Sequence, residues 1–252
     1  DVCSSDLRLA GGEALVVFAS RIEQADDPDN WPYRDDVGFY HTNFALDSEG
    51  EYLALVRPDL QVAHQYGSPE DDEPGYPAQQ SDLSYGLFGS EMQYFTDPSP
   101  GSANGPGYIG VSEPPVFSHR GGTFSEYILL DLSSPSPNAE IRYTTDGRVP
   151  GASSRSYSDA LVIVGTREVV ARAYEPDKAP SPVVSRTYIG LSDDVVDFSS
   201  DLPIVIVDTG RRNIGTEFQP VRSAFIDTAA DGRARMTGVA DYVGRGGMKR
   251  RG

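Results

Sequence analysis

Apolar and polar residues alternate in short runs along this chain of 252 residues, and Gly, Pro, Asn or Asp separates one run from the next. Runs of that length with a period of two predict half-buried β-strands rather than helices. In "AEIRYTT", residues 139–145, the pattern puts Ala139, Ile141, Tyr143 and Thr145 on one face and Glu140, Arg142 and Thr144 on the other. Asp146-Gly147 follows at once and supplies the positive φ that a tight reversal needs. Pro150 stiffens the exit, so Asp146, Gly147 and Pro150 are expected to form a structural turn.

Three groups of strands follow from the same pattern. In the first, "ALVVFAS" from Ala14 precedes a polar loop and then "HTNFALDSEGEYLALVRPDLQVAHQY". Glu49-Gly50 stands ahead of "EYLALV", and Pro58-Asp59 divides it from "LQVAHQY", as in a meander. The second group holds "SEYILLDLSS", "AEIRYTT", "DALVIVG", "REVVARAY" and "VVSRTYI", whose spacing is that of a small sandwich. The third has "DLPIVIVDTG", "VRSAFIDT" and "ARMTGVADY" as strands and stops at "VGRGGMKRRG". The longest apolar runs, residues 14–19 and 202–207, read as buried strands. Both are far shorter than the roughly 20 residues of a membrane-spanning helix, so no span is expected.

Composition agrees with an all-β chain: 26 Gly, 19 Pro and 14 Tyr favour short strands and tight turns. The formal net charge of −17 is concentrated at one end. Residues 1–110 carry 20 acids against 4 bases, a net of −16, and residues 111–252 carry 18 acids against 17 bases, a net of −1. Such an acidic first segment repels phosphate backbones, which argues against nucleic-acid binding. The opening residues, "DVCSSDL", read as the translated end of a sequencing adapter, which would make residues 1–7 and with them Cys3 foreign to the natural protein. One cysteine closes no disulfide in either case.

Candidate chemistry is sparse. The loops "ADDPDN" and "EDDE" offer Asp26, Asp27, Asp29, Asp71 and Asp72 as calcium ligands, but neither has the Asp-x-Asp-x-Asp-Gly spacing, and solvated loops are the expectation. His41, His64 and His119 are scattered, with His41 expected to be structural. No metalloprotease or serine-hydrolase motif is present. Trp31, Tyr33, Tyr40, Tyr76 and Tyr85 are candidates for stacking on sugar and, more simply, for core packing. "GRGG" lacks the spacing of a phosphate loop. Asp146 stands alone, with no second carboxylate for general acid–base work.

Three resemblances rest on these blocks. "EALVVFAS", "HTNFALDSEGEYLALV", "YP" with "DLSYG" after it, and "PSPGSAN" resemble the bacterial lamin tail domain, an immunoglobulin-like β-sandwich, over residues 8–105. Its usual first strand, with an Asn-Glu and Trp-Ile-Glu-Leu type pattern, has no counterpart here, so an open strand edge is expected. "GGTFSE", "AEIRYTTDG" with Pro150, Ser154 and Tyr157, "REVVARAY" and "SPVVSRTYI" resemble the chitobiase/β-hexosaminidase C-terminal-type domain over residues 114–190, an accessory sandwich. Residues 201–252 resemble the start of a spore-coat CotH-type, kinase-like domain, with Lys249, Arg251 and Gly252 at the opening of its Gly-Lys-x-Arg-Gly segment.

The fold these resemblances imply is two consecutive immunoglobulin-like β-sandwiches, then a truncated N-terminal piece of an α+β kinase-like domain. Residues 106–113 and 191–200 would be linkers. The function implied is that of non-catalytic spacer or adhesion modules in a secreted or cell-surface protein. ATP and a divalent metal would belong to the longer parent, with Lys249 and Arg251 as candidate nucleotide contacts. Polysaccharide or other surface proteins are the partners this reading offers, and a carbohydrate-binding accessory module is its alternative.

Overall fold

A computed structural model describes residues 9–22, 34–68, 75–210 and 212–251. They contain strands, bends and turns and no helix. The chain divides into two compact units, Asp1–Gly110 and Val111–Gly252.

The first unit is built from short strand pairs. Leu53–Val56 pairs antiparallel with Val62–Tyr66, with a register shift between Leu55 and Val56, and Ser84–Phe88 pairs antiparallel with Glu91–Phe95. Val17–Phe18 pairs in parallel with Tyr40–His41. "ALVVFAS" was expected to be a buried strand; only Val17 and Phe18 are extended, and they are 42% and 45% exposed. Among the described residues this strand meets only its two-residue partner, so no second layer of sheet takes up its apolar side chains. Tyr76 and Phe95 are the buried hydrophobic residues here, and the Tyr76 hydroxyl donates to the Asp47 carbonyl at 3.0 Å.

The second unit holds the main core. Five strands form one sheet in the order Arg155–Ser156, Glu140–Thr144, Arg167–Tyr174, Val184–Gly190 and Gly122–Phe124. The last pair is parallel and the others antiparallel. Two shorter antiparallel pairs, Ile128–Leu130 with Leu161–Ile163 and Val116–Phe117 with Leu132–Ser133, make the opposing layer. Leu130, Leu132 and Ile163 from these pairs interlock with Ile141, Val169, Ala171 and Tyr188 from the sheet. This is the two-layer packing of a β-sandwich. Ile141 is buried and Tyr143 packs against the same core, on the face that the alternation of "AEIRYTT" assigns to them. The fully buried Tyr188 donates its hydroxyl to the His119 carbonyl at 2.8 Å, and burial pushes its phenol well above the usual range.

Beyond the sandwich, Ile204–Asp208, Gln219–Ile226 and Tyr242–Met248 form an antiparallel three-stranded sheet with Gln219–Ile226 central. Two expectations change here. "LPIVIV" is not buried throughout: Ile204 packs with Ile226, Ala234 and Met236, whereas Val205 is 62% exposed on the other face. In "ARMTGVADY" Ala234–Arg235 is extended and the strand then breaks until Tyr242, because Gly238 N donates to the Arg235 carbonyl at 2.8 Å and turns the chain. The third strand is the glycine-rich stretch Tyr242–Met248. Residues 201–210 and 212–251 are strands, bends and turns.

Candidate functional site: a buried carboxylate at the sandwich corner

The central strand Arg167–Tyr174 sends Val169, Ala171 and Ala173 towards the sandwich core, which leaves Glu168 and Val170 on the opposite face. That face would be solvated in an isolated sandwich. Here it is covered, and Glu168 is only 2% exposed. A carboxylate removed from water to that degree needs charge and hydrogen-bond partners. Ser185 Oγ donates to Glu168 Oε1 at 3.0 Å, from the neighbouring strand. Arg245 Nε lies 3.4 Å from Oε2 and Arg222 Nε 4.0 Å from the same oxygen.

Both arginines come from the three-stranded sheet, where Arg222 and Arg245 stand directly opposite each other in register. Like charges in that position repel. The Glu168 carboxylate between them turns the repulsion into a three-member ion cluster. Arg222 Nε is buried and without a hydrogen-bond partner, so its contact with Glu168 is electrostatic.

The turn predicted from the sequence completes the cluster. Gly147 has φ +84° and its carbonyl accepts from Arg245 Nη1 at 2.9 Å. Asp146 Oδ1 accepts from the Arg148 backbone at 3.1 Å, an Asx turn, while its carboxylate stays exposed. Pro150 is fully buried, and its carbonyl accepts from the Tyr174 hydroxyl at 2.9 Å. A Cβ on Gly147 would stand 2.5 Å from Glu168 Oε2, so glycine is required both by φ and by the approach of the carboxylate.

Two hollows flank the ion cluster. The larger, about 570 Å³, is bounded by Arg120, Arg186, Glu168 and Arg245, with Val149, Val170, Val183 and Val243 as apolar wall. The smaller, about 80 Å³, lies against Asp146, Glu168, Arg212, Arg222 and Arg245.

The other sequence candidates fall elsewhere. Lys249 Nζ sits 4.6 Å over the Phe218 ring, and Lys249 and Arg251 both line a shallow hollow of about 430 Å³ on the three-stranded sheet. Asp26, Asp27, Asp29, Asp71 and Asp72 lie outside the described residues, as do Trp31, Tyr33 and Cys3. Among the described residues no group of three metal-ligating side chains converges. Tyr66, Tyr85 and Tyr94 form a packed row, with ring centroids 6.2 and 4.8 Å apart, and Tyr66 also meets the buried Tyr76, which accounts for Tyr76 and Tyr85 as packing residues.

His41 is held between Ser20 Oγ at 2.8 Å and Asp35 Oδ2 at 3.4 Å, and Phe18 stacks on its ring. The row has the membership of a hydrolytic triad, but the amides that follow Ser20 are occupied: Arg21 N donates to Phe44 O and Ile22 N to Thr42 O. Asp35 itself is pinned by the amides of Phe39, Gly38 and Val37, and these bonds with His41 hold its carboxyl below the usual range.

Sequence reasoning passed over Glu168, Arg222 and Arg245 as a set. One signal was present. "REVVARAY" has Val169 and Val170 adjacent, which marks a strand covered on both faces, and a Glu in such a strand calls for a cation.

Comparison with curated proteins found no match, and comparison with solved structures found none. Residues 130–188, from the Leu130 core position through the corner and Glu168 to Tyr188, are similar to the family described as Fn3 associated, a domain found with sandwich-type modules.

Proposed function

We propose that this chain is a non-catalytic structural segment of a secreted or cell-surface protein, in which the sandwich of residues 114–190 holds the sheet that follows it in a fixed position. The observation that carries this reading is Glu168, buried in the sandwich and neutralised by Arg222 and Arg245 of that sheet. An ion cluster of this kind fixes geometry more than it adds stability. At 3.4 Å and an effective dielectric of about 20, the attraction of one pair is about 5 kcal/mol, and the cost of desolvating the carboxylate is of similar size. A joint that is nearly neutral when intact and costly when half broken suits a spacer. The lamin-tail-like, chitobiase-type and CotH-like resemblances extend the proposal to a longer parent in which this segment presents a nucleotide-binding domain, with ATP, metal and any kinase activity located there.

NMR relaxation of the whole chain tests the joint. Amides of Arg167–Tyr174 and of Gln219–Ile226 should report one rotational correlation time. Two distinct values would replace the spacer reading with a flexible tether.

A further inference from the structure

We infer that the open face of the three-stranded sheet docks on the same face of a second copy of this chain. Alternation along the strands turns Arg222 and Arg245 towards Glu168 and leaves the opposite face to solvent. Val205, Phe225 and Tyr242 stand on that open face in one cross-strand row, 62%, 38% and 51% exposed. At the far end of the same face Phe218 and Met248 border the shallow hollow, 66% and 36% exposed. Apolar side chains gathered on one face in this way mark an interaction surface.

Charge selects the occupant. Asp201, Asp227 and Asp241 are exposed at the end of the sheet where Ile204 pairs with Ile226. Lys249, Arg250 and Arg251 are exposed at the other end, beyond the pairing of Gln219 with Met248. Arg212 lies at that end too, and with Glu217 and Asp208 set against these four cations it stays positive. None of the three acids at the first end, nor Lys249, Arg250 or Arg251, has an ion-pair partner among the described residues. An apolar face that is negative at one end and positive at the other is complementary to itself. A two-fold axis lying in the interface across the strands brings each positive end onto the negative end of the other copy, and the two sheets stack face to face. An axis along the strands would set like charges together.

The size of the face sets the strength. Three strands about 4.8 Å apart and seven residues at about 3.3 Å each cover about 14 by 23 Å, roughly 300 Å² per copy. A standard stable interface takes about 800 Å² from each partner, so this dimer is weak and forms at about 100 µM chain.

The inference does not rest on the spacer role, because the Glu168 joint occupies the other face of the sheet. Sedimentation equilibrium of the whole chain tests it, from about 10 µM to 1 mM. The expected result is a monomer–dimer equilibrium with a Kd of about 100 µM, weakened about tenfold by Val205→Lys and about fivefold when sodium chloride rises from about 50 to 500 mM. Arg250→Glu with Arg251→Glu should weaken it about tenfold, and adding Asp201→Lys and Asp227→Lys should restore it, because reversal of both ends leaves them complementary. Melting at about 5 µM, where the chain is monomeric, reports the folding of each variant apart from its association. A chain that stays monomeric at about 1 mM would overturn the inference, as would association indifferent to Val205→Lys or a folded four-residue variant that fails to regain it. Either failure leaves the joint at Glu168 as it stands.

Discussion

Replacing Arg245 with Ala should destabilise residues 111–252 by about 2–4 kcal/mol, a fall in melting temperature of about 5–15 °C. The reason is an asymmetry in what each substitution leaves behind. Without Arg245, the Glu168 carboxylate, which is 2% exposed in the intact protein, keeps only the Ser185 hydroxyl and the more distant Arg222. The Gly147 carbonyl also loses its donor. Glu168→Gln leaves a different remnant, because the Arg245 side chain is 56% exposed and can turn into water. That variant should lose only about 1–2 kcal/mol. Combining the two should cost clearly less than the sum of the separate losses, with a coupling of about 1–2 kcal/mol read by thermal or denaturant unfolding. Additive losses would mean that the two side chains do not meet.

Gly147→Ala should cost about 2–3 kcal/mol, from two separable sources. At φ +84° an L-residue pays about 1 kcal/mol for the left-handed backbone. The remainder comes from the new Cβ, 2.5 Å from Glu168 Oε2 in a place where the carboxylate is held by Ser185 and Arg245. In a Glu168→Ala background the second source vanishes, and the Gly147→Ala cost should shrink to the backbone part alone, about 1 kcal/mol. An equal cost in both backgrounds would show that the turn is strained by φ only. The pair of measurements therefore distinguishes an ordinary tight turn from a turn that forms one wall of an ion cluster.

The corner shows what could be read in advance. Asp146, Gly147 and Pro150 announce a reversal through local chemistry alone, and the turn bond and the positive φ are local consequences. The strands of the second unit are legible for the same reason: "REVVARAY" and "VVSRTYI" carry enough apolar residues to mark their own extent. What covers a strand is a property of distant sequence. Glu168 has no partner within its own strand, and its burial and charge pairing appear only when the sheet containing Arg222 and Arg245 is placed over it. "GRGG" shows the converse, since its glycines carry no apolar alternation of their own and form a strand by pairing with Gln219–Ile226. Its interior glycines leave Gly247 room beside Phe218 and Gly244 beside the Tyr242 hydroxyl, contacts that a side chain would close. "ALVVFAS" is misjudged because an apolar run is buried only where a second layer meets it, and its described neighbour is a two-residue strand.

The central claim is that the sandwich and the following sheet open as one cooperative body, joined through Glu168. Native-state hydrogen exchange of the whole chain in rising denaturant tests it most directly, because it reads local and global opening residue by residue. The slowest amides of Arg167–Tyr174 and of Gln219–Ile226 should converge on a single opening free energy with a common denaturant dependence, and Arg245→Ala should separate the two sets. Two independent opening free energies in the unmodified chain, indifferent to Arg245→Ala, would contradict it.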